Sequence, residues 1–575
     1  MMANPILWGH EFLIKTTTKG SQGEPTITGL SDGRFVVAWE DDSGTYGDTS
    51  GNNVLAQVFN ADGSKAGGAF RVNATTKGSQ VEPTITGLGD GRFVVAWTDT
   101  SRTDGDTSKT AVRGQVFHAD GTKSGHEFLI NTTTAKAQSD PTITSLADGR
   151  FVVAWTGSST TGGVRAQIFN VDGSKSGGEI VVKTQTGNGL PGPTITDLAD
   201  GRFVVAWNDQ NDALSPSLRA QIFNVDGSKS GEEIVVKPPN TALPNYPTIA
   251  GLADGRFVVA WTDTSKTGGD TSNMAVHAQV FNADGSKSGS EFLVNTTTAK
   301  SQYEPTITGL ADGRFVVAWV GPSKTGGDTS EKAVWGQVFD ADGTRSGGEF
   351  LVNTTTAKSQ FDPTITALPD GRFVVAWTDA SDGDKAGLTG FRVRGQIFDP
   401  RDEGIDLTGG GRGEQFGGTR FNDALDGAGG KDWLFGYKGD DILKGGENND
   451  VLVGGKGKDL LAGGEGKDKL KGEGGRDQFA FGEMGKKNAD KLVDFKPGKE
   501  LIGLDGDVFT GIGDKLDKDE FEIGKTADDG NDRVIYDRTK GKLYWDGDGK
   551  GGDDKVLFAK VDPFLKLSDD AFFIV

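Results

Sequence analysis

Between Gly418 and Ala480 an aspartate recurs every nine residues: Asp423, Asp432, Asp441, Asp450, Asp459, Asp468 and Asp477. A glycine-rich pair or triplet precedes nearly every one, and Leu or Phe lies two residues after it. Clean units are GYKGDDILK (436–444), GGKGKDLLA (454–462) and GGEGKDKLK (463–471). The pattern is G-G-x-G-x-D-x-U-x, with U a large apolar residue. Its x-U-x part makes a three-residue strand with U pointing inward. Its glycines form a turn using backbone angles closed to other residues. Two nonapeptides complete one coil, so residues eighteen apart stack.

That stacking places Asp423, Asp441, Asp459 and Asp477 on one edge and Asp432, Asp450 and Asp468 on the other. Carboxylates held one strand apart repel unless a cation lies between them. Calcium, a hard ion taking six to eight oxygen ligands, suits such carboxylates together with turn carbonyls. The glycines expected at these sites are Gly427, Gly429, Gly436, Gly445, Gly454 and Gly463. Counting stacked neighbours gives about five ions. A flexible Gly/Asp-rich linker would show neither the strict period nor the matched apolar position.

On these repeats the chain resembles the repeats-in-toxin (RTX) family of secreted proteins. The resemblance implies a parallel β-roll with calcium bound by the seven aspartates. In that family Asn or Asp often precedes the ligand aspartate. Here the position holds Lys431, Lys458, Lys467 or Arg476, and Phe421 and Asn448 replace the fourth-position glycine. The added positive charge predicts unequal sites. Two later segments, ADKLVDFKPGKELIGLD (489–505) and residues 521–561, resemble the C-terminal domain of serralysin-type proteins. By that likeness Asp490 and Asp494 are expected to bind a further calcium. Asp546-x-Asp548 resembles the start of an EF-hand, but Lys550 and Leu557 occupy ligand positions, which rules that reading out. Residues 568–575 (SDDAFFIV) read locally as a closing strand, and they also resemble C-terminal signals for type I secretion.

Composition agrees with a cation-binding, extracellular β protein. The chain has 575 residues, 89 of them glycine, and a hydrophobic share of only 34%. Many short strands joined by tight turns satisfy those numbers; a helical protein does not. A net charge of −21 argues against nucleic acid or an anionic membrane as partner. There is no cysteine, so disulfides cannot staple the fold. No apolar run reaches membrane-spanning length. The first residues, MMANPILWGHEF, lack the basic start and apolar stretch of a Sec signal peptide. Together with the C-terminal likeness, this leads us to expect one-step export through a type I ABC apparatus in a bacterium.

Upstream, a longer repeat runs seven times from Gly9 to about Asp399. The marker DGRFVVAW ends at Trp39, Trp97, Trp155, Trp207, Trp261, Trp319 and Trp377, with spacings of 58, 58, 52, 54, 58 and 58. Pro-Thr-Ile, starting at Pro25, Pro83, Pro141, Pro193, Pro247, Pro305 and Pro363, keeps the same step. Such a period points to propellers or arrays. The sixth unit reads as four strands: EFLVN (291–295), PTITGL (305–310), RFVVAW (314–319) and AVWGQVF (333–339), with Asp-Gly turns between. Phe315, Val317 and Trp319 face one way, Val316 and Ala318 the other. Apolar residues on both faces require cover on both. A seven-bladed propeller supplies that cover; an open β-solenoid and beads on a string are the alternatives. In a ring, EFLIK (11–15) would complete the last blade and remove its open edge.

The signatures of catalysis are sparse. Only His10, His118, His126 and His277 are present, none in H-E-x-x-H, and neither G-x-S-x-G nor a P-loop appears. His277 stands where other repeats hold Arg113, Arg165, Arg219 or Arg394, and reads as a surface variation. A hydrolase using carboxylates alone needs no signature and stays open. The loops at 40–53, 98–110, 262–274 and 320–332 are rich in Asp, Ser and Thr. They read first as solvated turns and second as sites for a cation or sugar hydroxyls.

The expectation is therefore an all-β chain: a propeller over 1–399, a linker over 400–417, a roll over 418–480 and a serralysin-type domain over 481–575. The propeller would act as a binding or adhesion module for extracellular polysaccharide, matrix or host surface. The alternative is a secreted polysaccharide hydrolase or lyase.

Overall fold

A computed structural model describes residues 4–575, apart from 15–19, 45–46, 48–50, 104–107, 135, 158–162, 185–191, 210–216, 240–243, 266–272, 299, 323–330, 382–389, 402, 412, 514 and 550–554. The chain forms two compact units, Met1–Pro400 and Arg401–Val575. Among the described residues both are built from strands, with two short 3₁₀ turns at Lys518–Glu520 and Asp569–Ala571 in the second.

The first unit is a seven-bladed propeller of four-stranded antiparallel sheets. Blade one runs Gln22–Gly29, Phe35–Asp41, Asn53–Phe59 and Phe70–Arg71. Alternation along the second strand builds the ring. Phe35, Val37 and Trp39 pack against Leu368, Val374 and Ala376 of blade seven. Val36 and Ala38 pack against Phe93, Val95 and Trp97 of blade two. The sixth blade repeats this, with Trp319 facing Val258 and Ala260 while Val316 and Ala318 face Trp377. Two-sided burial thus joins neighbouring blades, as the FVVAW pattern requires. The seven tryptophans of the FVVAW strands are essentially inaccessible.

The N-terminal strand closes the ring. Ile6–Leu13 pairs antiparallel with Arg392–Asp399 of blade seven, from Ile6↔Asp399 to Leu13↔Arg394. It begins before the expected EFLIK segment, because Ile6, Leu7 and Trp8 already pair; Lys15 lies outside the described residues. A clasp found between other blades recurs here. Glu127 accepts hydrogen bonds from Ala74 N–H (2.6 Å) and Thr75 N–H (3.3 Å), and Glu179 accepts from Thr132 N–H (2.9 Å). Glu11 accepts from Thr354 N–H (2.8 Å) and Thr355 N–H (2.9 Å).

His277 departs from expectation. It is buried, stacked 6.3 Å from Trp261, with Nδ1 3.0 Å from Glu291. In blade two the equivalent Arg113 bridges Asp99 (2.7 Å) and Glu127 (3.4 Å). Blade five has lost that arginine, and Lys237 supplies the cation instead, 2.9 Å from Asp263 and 2.7 Å from Glu291. The position belongs to a buried ion-pair network because its strand is covered on both faces; it is not a surface variation.

The second unit is a parallel roll of two sheets. One holds seven strands from Asp406–Thr408 to Phe572–Ile574, with Ala424–Asp426, Ile442–Glu447, Leu460–Glu465, Gln478–Phe481 and Leu501–Leu504 between them. The other begins at Gln415–Gly417, climbs by Trp433–Lys438, Val451–Gly457, Lys469–Gly475 and Asp490–Leu492, and continues into four further strands. Registers step by eighteen, as in Leu434↔Leu452↔Leu470. Leu425, Leu434, Leu443, Leu452, Leu461, Leu470 and Phe479, the U positions, form the buried core. Parallel pairing already starts at Asp406 and Gln415, inside the segment read as a linker. Phe572–Ile574 pairs with Ile502–Leu504, so the last residues are a closing strand of the first sheet.

Candidate metal centre

Each ladder aspartate reaches back along its edge of the roll. The amide of Asp423 donates to Asp441 Oδ1 (2.9 Å), Asp441 to Asp459 (3.1 Å), and Asp459 to Asp477 (3.2 Å). On the other edge Asp432 donates to Asp450 (2.8 Å), Asp450 to Asp468 (2.7 Å), and Asp468 to Asp490 (3.0 Å). Asp490 is therefore the next rung, reached after twenty-two residues instead of eighteen. Asp494 stands apart from the ladder, accepting from Gly472 N–H (3.0 Å) and Glu473 N–H (2.9 Å) with its two oxygens.

One oxygen of each carboxylate is thus used. The other, Oδ2 of Asp432, Asp441, Asp450, Asp459, Asp468 and Asp477, is buried without a hydrogen-bond partner. Six orphaned anionic oxygens in one small unit are costly unless something positive satisfies them. Asp423 differs, because Thr419 N–H and Thr419 Oγ1 both donate to it.

The first glycine of each turn frames these oxygens. A methyl on Gly427 would sit 2.6 Å from both Asp432 Oδ2 and Gly445 O. One on Gly445 would sit 2.5 Å from Asp450 Oδ2, and one on Gly463 would come within 2.8 Å of Asp490 Oδ2. Gly436 and Gly454 stand equally close to Asp441 and Asp459. Orphaned carboxylate oxygens, neighbouring carbonyls and the missing side chain form an all-oxygen cradle, the donor set of a hard divalent cation. Gly429 plays another part, donating its N–H to Gly410 O (3.0 Å). The fourth-position glycines serve close approach: Gly457 has φ +141° and Gly466 φ +151°, and a side chain there would collide with Gly439 O and Asn448 O. Asn448, replacing one such glycine, keeps the left-handed backbone at φ 83°.

Electrostatics show the same tension. Burial, opposed by the backbone hydrogen bond from Asp423 and reinforced by the charges of Asp423 and Asp459, raises Asp441 to about 7. Burial likewise lifts Asp450, Asp459 and Asp468 to about 6, and raises Asp432 and Asp477. Asp490, buried and beside Asp468, is pushed up to about 9. Without a cation the ladder holds protons that free aspartates would release.

Residues 408–443, 417–452 and 444–479 match the RTX calcium-binding nonapeptide repeat. The ladder is an RTX calcium-binding segment. No curated protein matches the chain as a relative. Among solved structures, a protein of unknown function from Dyadobacter fermentans is similar at 12% identity, TM-score 0.42, over 68% of this chain and 98% of its own. An α-L-arabinanase from Penicillium chrysogenum follows at 14%, 0.40, 69% and 98%. The polysaccharide lyase Uly1 stands at 11%, 0.43, 68% and 99%. Likeness at this level carries no argument about activity. Within the RTX segment the aspartates and first-turn glycines converge, while Gly429 and Asp494 serve backbone hydrogen bonds.

The propeller holds a feature that the repeat pattern hid. The residue before each Pro-Thr-Ile is Glu24, Glu82, Asp140, Tyr246, Glu304 or Asp362 in six blades, all left-handed with φ of 48–55°. These residues lie near the start of the innermost strands. Burial and then the Asp362 charge raise Glu24 to about 7; burial and Asp362 raise Glu304 to about 6. Glu40 and Asp140 are raised chiefly by burial too. Where blades one and seven meet, Glu24, Glu40, Asp42 and Asp362 line a cavity of about 190 Å³ with Phe361 and Phe391. An acid before proline in five of the seven units was the available signal. Of the loops at 40–53, 98–110, 262–274 and 320–332, the middle residues lie outside the described residues, and in the last two these make up more than half of the loop.

Proposed function

We propose that the chain is a secreted bacterial protein whose C-terminal unit folds on calcium after type I export, and whose propeller is a non-enzymatic binding module. The observation that carries this reading is the set of six buried, unpartnered Oδ2 atoms. The residues that would hold calcium are Asp432, Asp441, Asp450, Asp459, Asp468, Asp477 and Asp490, with the turn carbonyls beside Gly427, Gly436, Gly445, Gly454 and Gly463. Bound calcium supplies the positive charge that neutralises the ladder; it needs no role in chemistry.

Free calcium inside a cell is too low for sites with dissociation constants of about 10⁻⁴–10⁻³ M. Self-repulsion then keeps the segment unfolded, the state that threads a channel. Outside, binding and folding occur together. The likeness of residues 568–575 to type I signals supports the route, and their place as a closing strand fits a signal read before folding. Fusing residues 401–575 to a reporter, with and without a type I apparatus, tests it; export in both strains, or in neither, contradicts it.

Near-identity of the blades supports binding of a repetitive surface such as polysaccharide, matrix or host glycan, with affinity gained by multivalency. A glycan array probed with the whole chain tests that part. A second reading, a carboxylate-only hydrolase or lyase, is favoured by one place where the symmetry breaks. At the junction of blades one and seven, the Glu24 carboxyl is raised to about 7 beside Glu40 and Asp362. Such a pairing of carboxyls can divide acid and base roles. Turnover of polysaccharides that is abolished by Glu24→Gln would establish the second reading over the first.

A further inference from the structure

The cations that set these repeats apart fall into register. Leu460, Gln478 and Leu501 pair in successive rungs of the first sheet. The residue two places before each is Lys458, Arg476 and Lys499, which brings the three cations to the same edge of the roll, Lys499 from a turn. Together with Leu460, Gln478 and Leu501 they line a cavity of about 520 Å³. None of the three forms a salt bridge among the described residues. Two acids also line the cavity: Asp459, whose Oδ1 is engaged and whose Oδ2 belongs to the ladder, and the exposed Asp570, leaving three cations against one solvent-facing carboxylate. Burial raises the Asp477 carboxyl and Lys499 does act on it, in the lowering direction, but three cations without a salt bridge converging on one concavity are unexpected in a chain of net charge −21.

We propose that this cavity binds an acidic polysaccharide, a sugar polymer carrying a carboxylate or sulfate on successive residues. Successive rungs lie about 4.8 Å apart, so cations carried just ahead of three rungs suit a run of negative charges. Leu460 and Leu501 give the floor an apolar surface for a sugar ring, and Gln478 offers an amide for its hydroxyls. Arg476 can grip a carboxylate or sulfate through two parallel hydrogen bonds. The overall negative charge disfavours nucleic acid, whose affinity rests on a broad basic surface. This site lies on the roll and does not depend on the propeller reading.

The experiment uses the whole chain in saturating calcium, with labelled oligogalacturonate, a sulfated dextran oligomer and neutral dextran as probes in fluorescence anisotropy. We expect at least one anionic probe to bind, affinity to fall as salt rises, and neutral dextran to stay free. The two anionic arms tell carboxylate from sulfate recognition. The variant K458Q/R476Q/K499Q should weaken binding at least tenfold with an unchanged calcium-bound circular dichroism spectrum. K431Q/K467Q, which removes cations from the opposite edge, should bind as the parent does. If neither anionic probe binds, or both variants lose affinity equally, the proposal is overturned. Should the triple variant misfold, single K499Q and R476Q substitutions provide the same reading.

Discussion

Glu11 accepts hydrogen bonds from Thr354 N–H at 2.8 Å and from Thr354 Oγ1 at 2.8 Å, although 343 residues separate them. Glu11 also lies 3.2 Å from Arg394, and its side chain is almost wholly buried. The first residues of the chain thus tie the last blade to its neighbour with the clasp that joins blades two and three. Hydrogen bonds to a charged group are worth about 1.5–3 kcal/mol each. Glu11→Ala is expected to lower propeller stability by about 2–4 kcal/mol, read from urea unfolding of the whole chain. An unchanged midpoint would mean that the clasp does not hold the ring.

Lys237 bridges the carboxylates of Asp263, fully buried, and Glu291, half-buried. Removing one partner of a buried network leaves uncompensated charge, at a cost of about 3–5 kcal/mol. Lys237→Ala should therefore unfold the propeller markedly earlier, and Lys237→Arg should restore most of the loss. Equal stabilities for Lys237→Ala and the parent would show that His277 compensates by itself.

Gly436 and Gly429 separate two uses of glycine. A methyl on Gly436 would fill the space beside Asp441 Oδ2 and approach Gly454 O at 2.6 Å, whereas one on Gly429 would meet nothing nearer than 3.6 Å. Gly436→Ala is expected to weaken calcium binding at its rung at least tenfold, and Gly429→Ala to leave the titration unchanged. Isothermal titration of both variants decides it.

The raised carboxyl pKa values set the sign of a pH effect. In the folded roll Asp441 titrates near 7 and Asp450, Asp459 and Asp468 near 6, above their ordinary 3.8. A group raised in this way stabilises the fold fully below its unfolded pKa, and that contribution is lost as pH rises through the folded value. Without calcium, the C-terminal unit should therefore be more ordered at pH 4.5 than at pH 8. With calcium the dependence reverses, because protons compete for the same oxygens. Circular dichroism across pH in chelator and in calcium checks both directions.

The periods in the sequence placed most of this architecture. FVVAW alternation specified two-sided burial and hence the ring, and the nine-residue step specified both ladders and the leucine core. What stayed hidden depended on positions that only folding brings together. His277 looked peripheral because its partner Glu291 lies fourteen residues away, and Lys237, which shares that carboxylate, lies forty away. Asp490 joins the ladder after a twenty-two-residue step, which no strict period reveals. The junction of Glu24 with Asp362 exists only because the ring closes, and local sequence does not record it.

The most direct test is calcium titration of the whole chain, starting in chelator, followed by hydrogen exchange of residues 418–481. The account predicts rapid exchange without calcium, cooperative protection as calcium reaches about 10⁻⁴–10⁻³ M, and a propeller protected throughout. Equal protection of the roll in chelator and in calcium, at neutral pH, would contradict it.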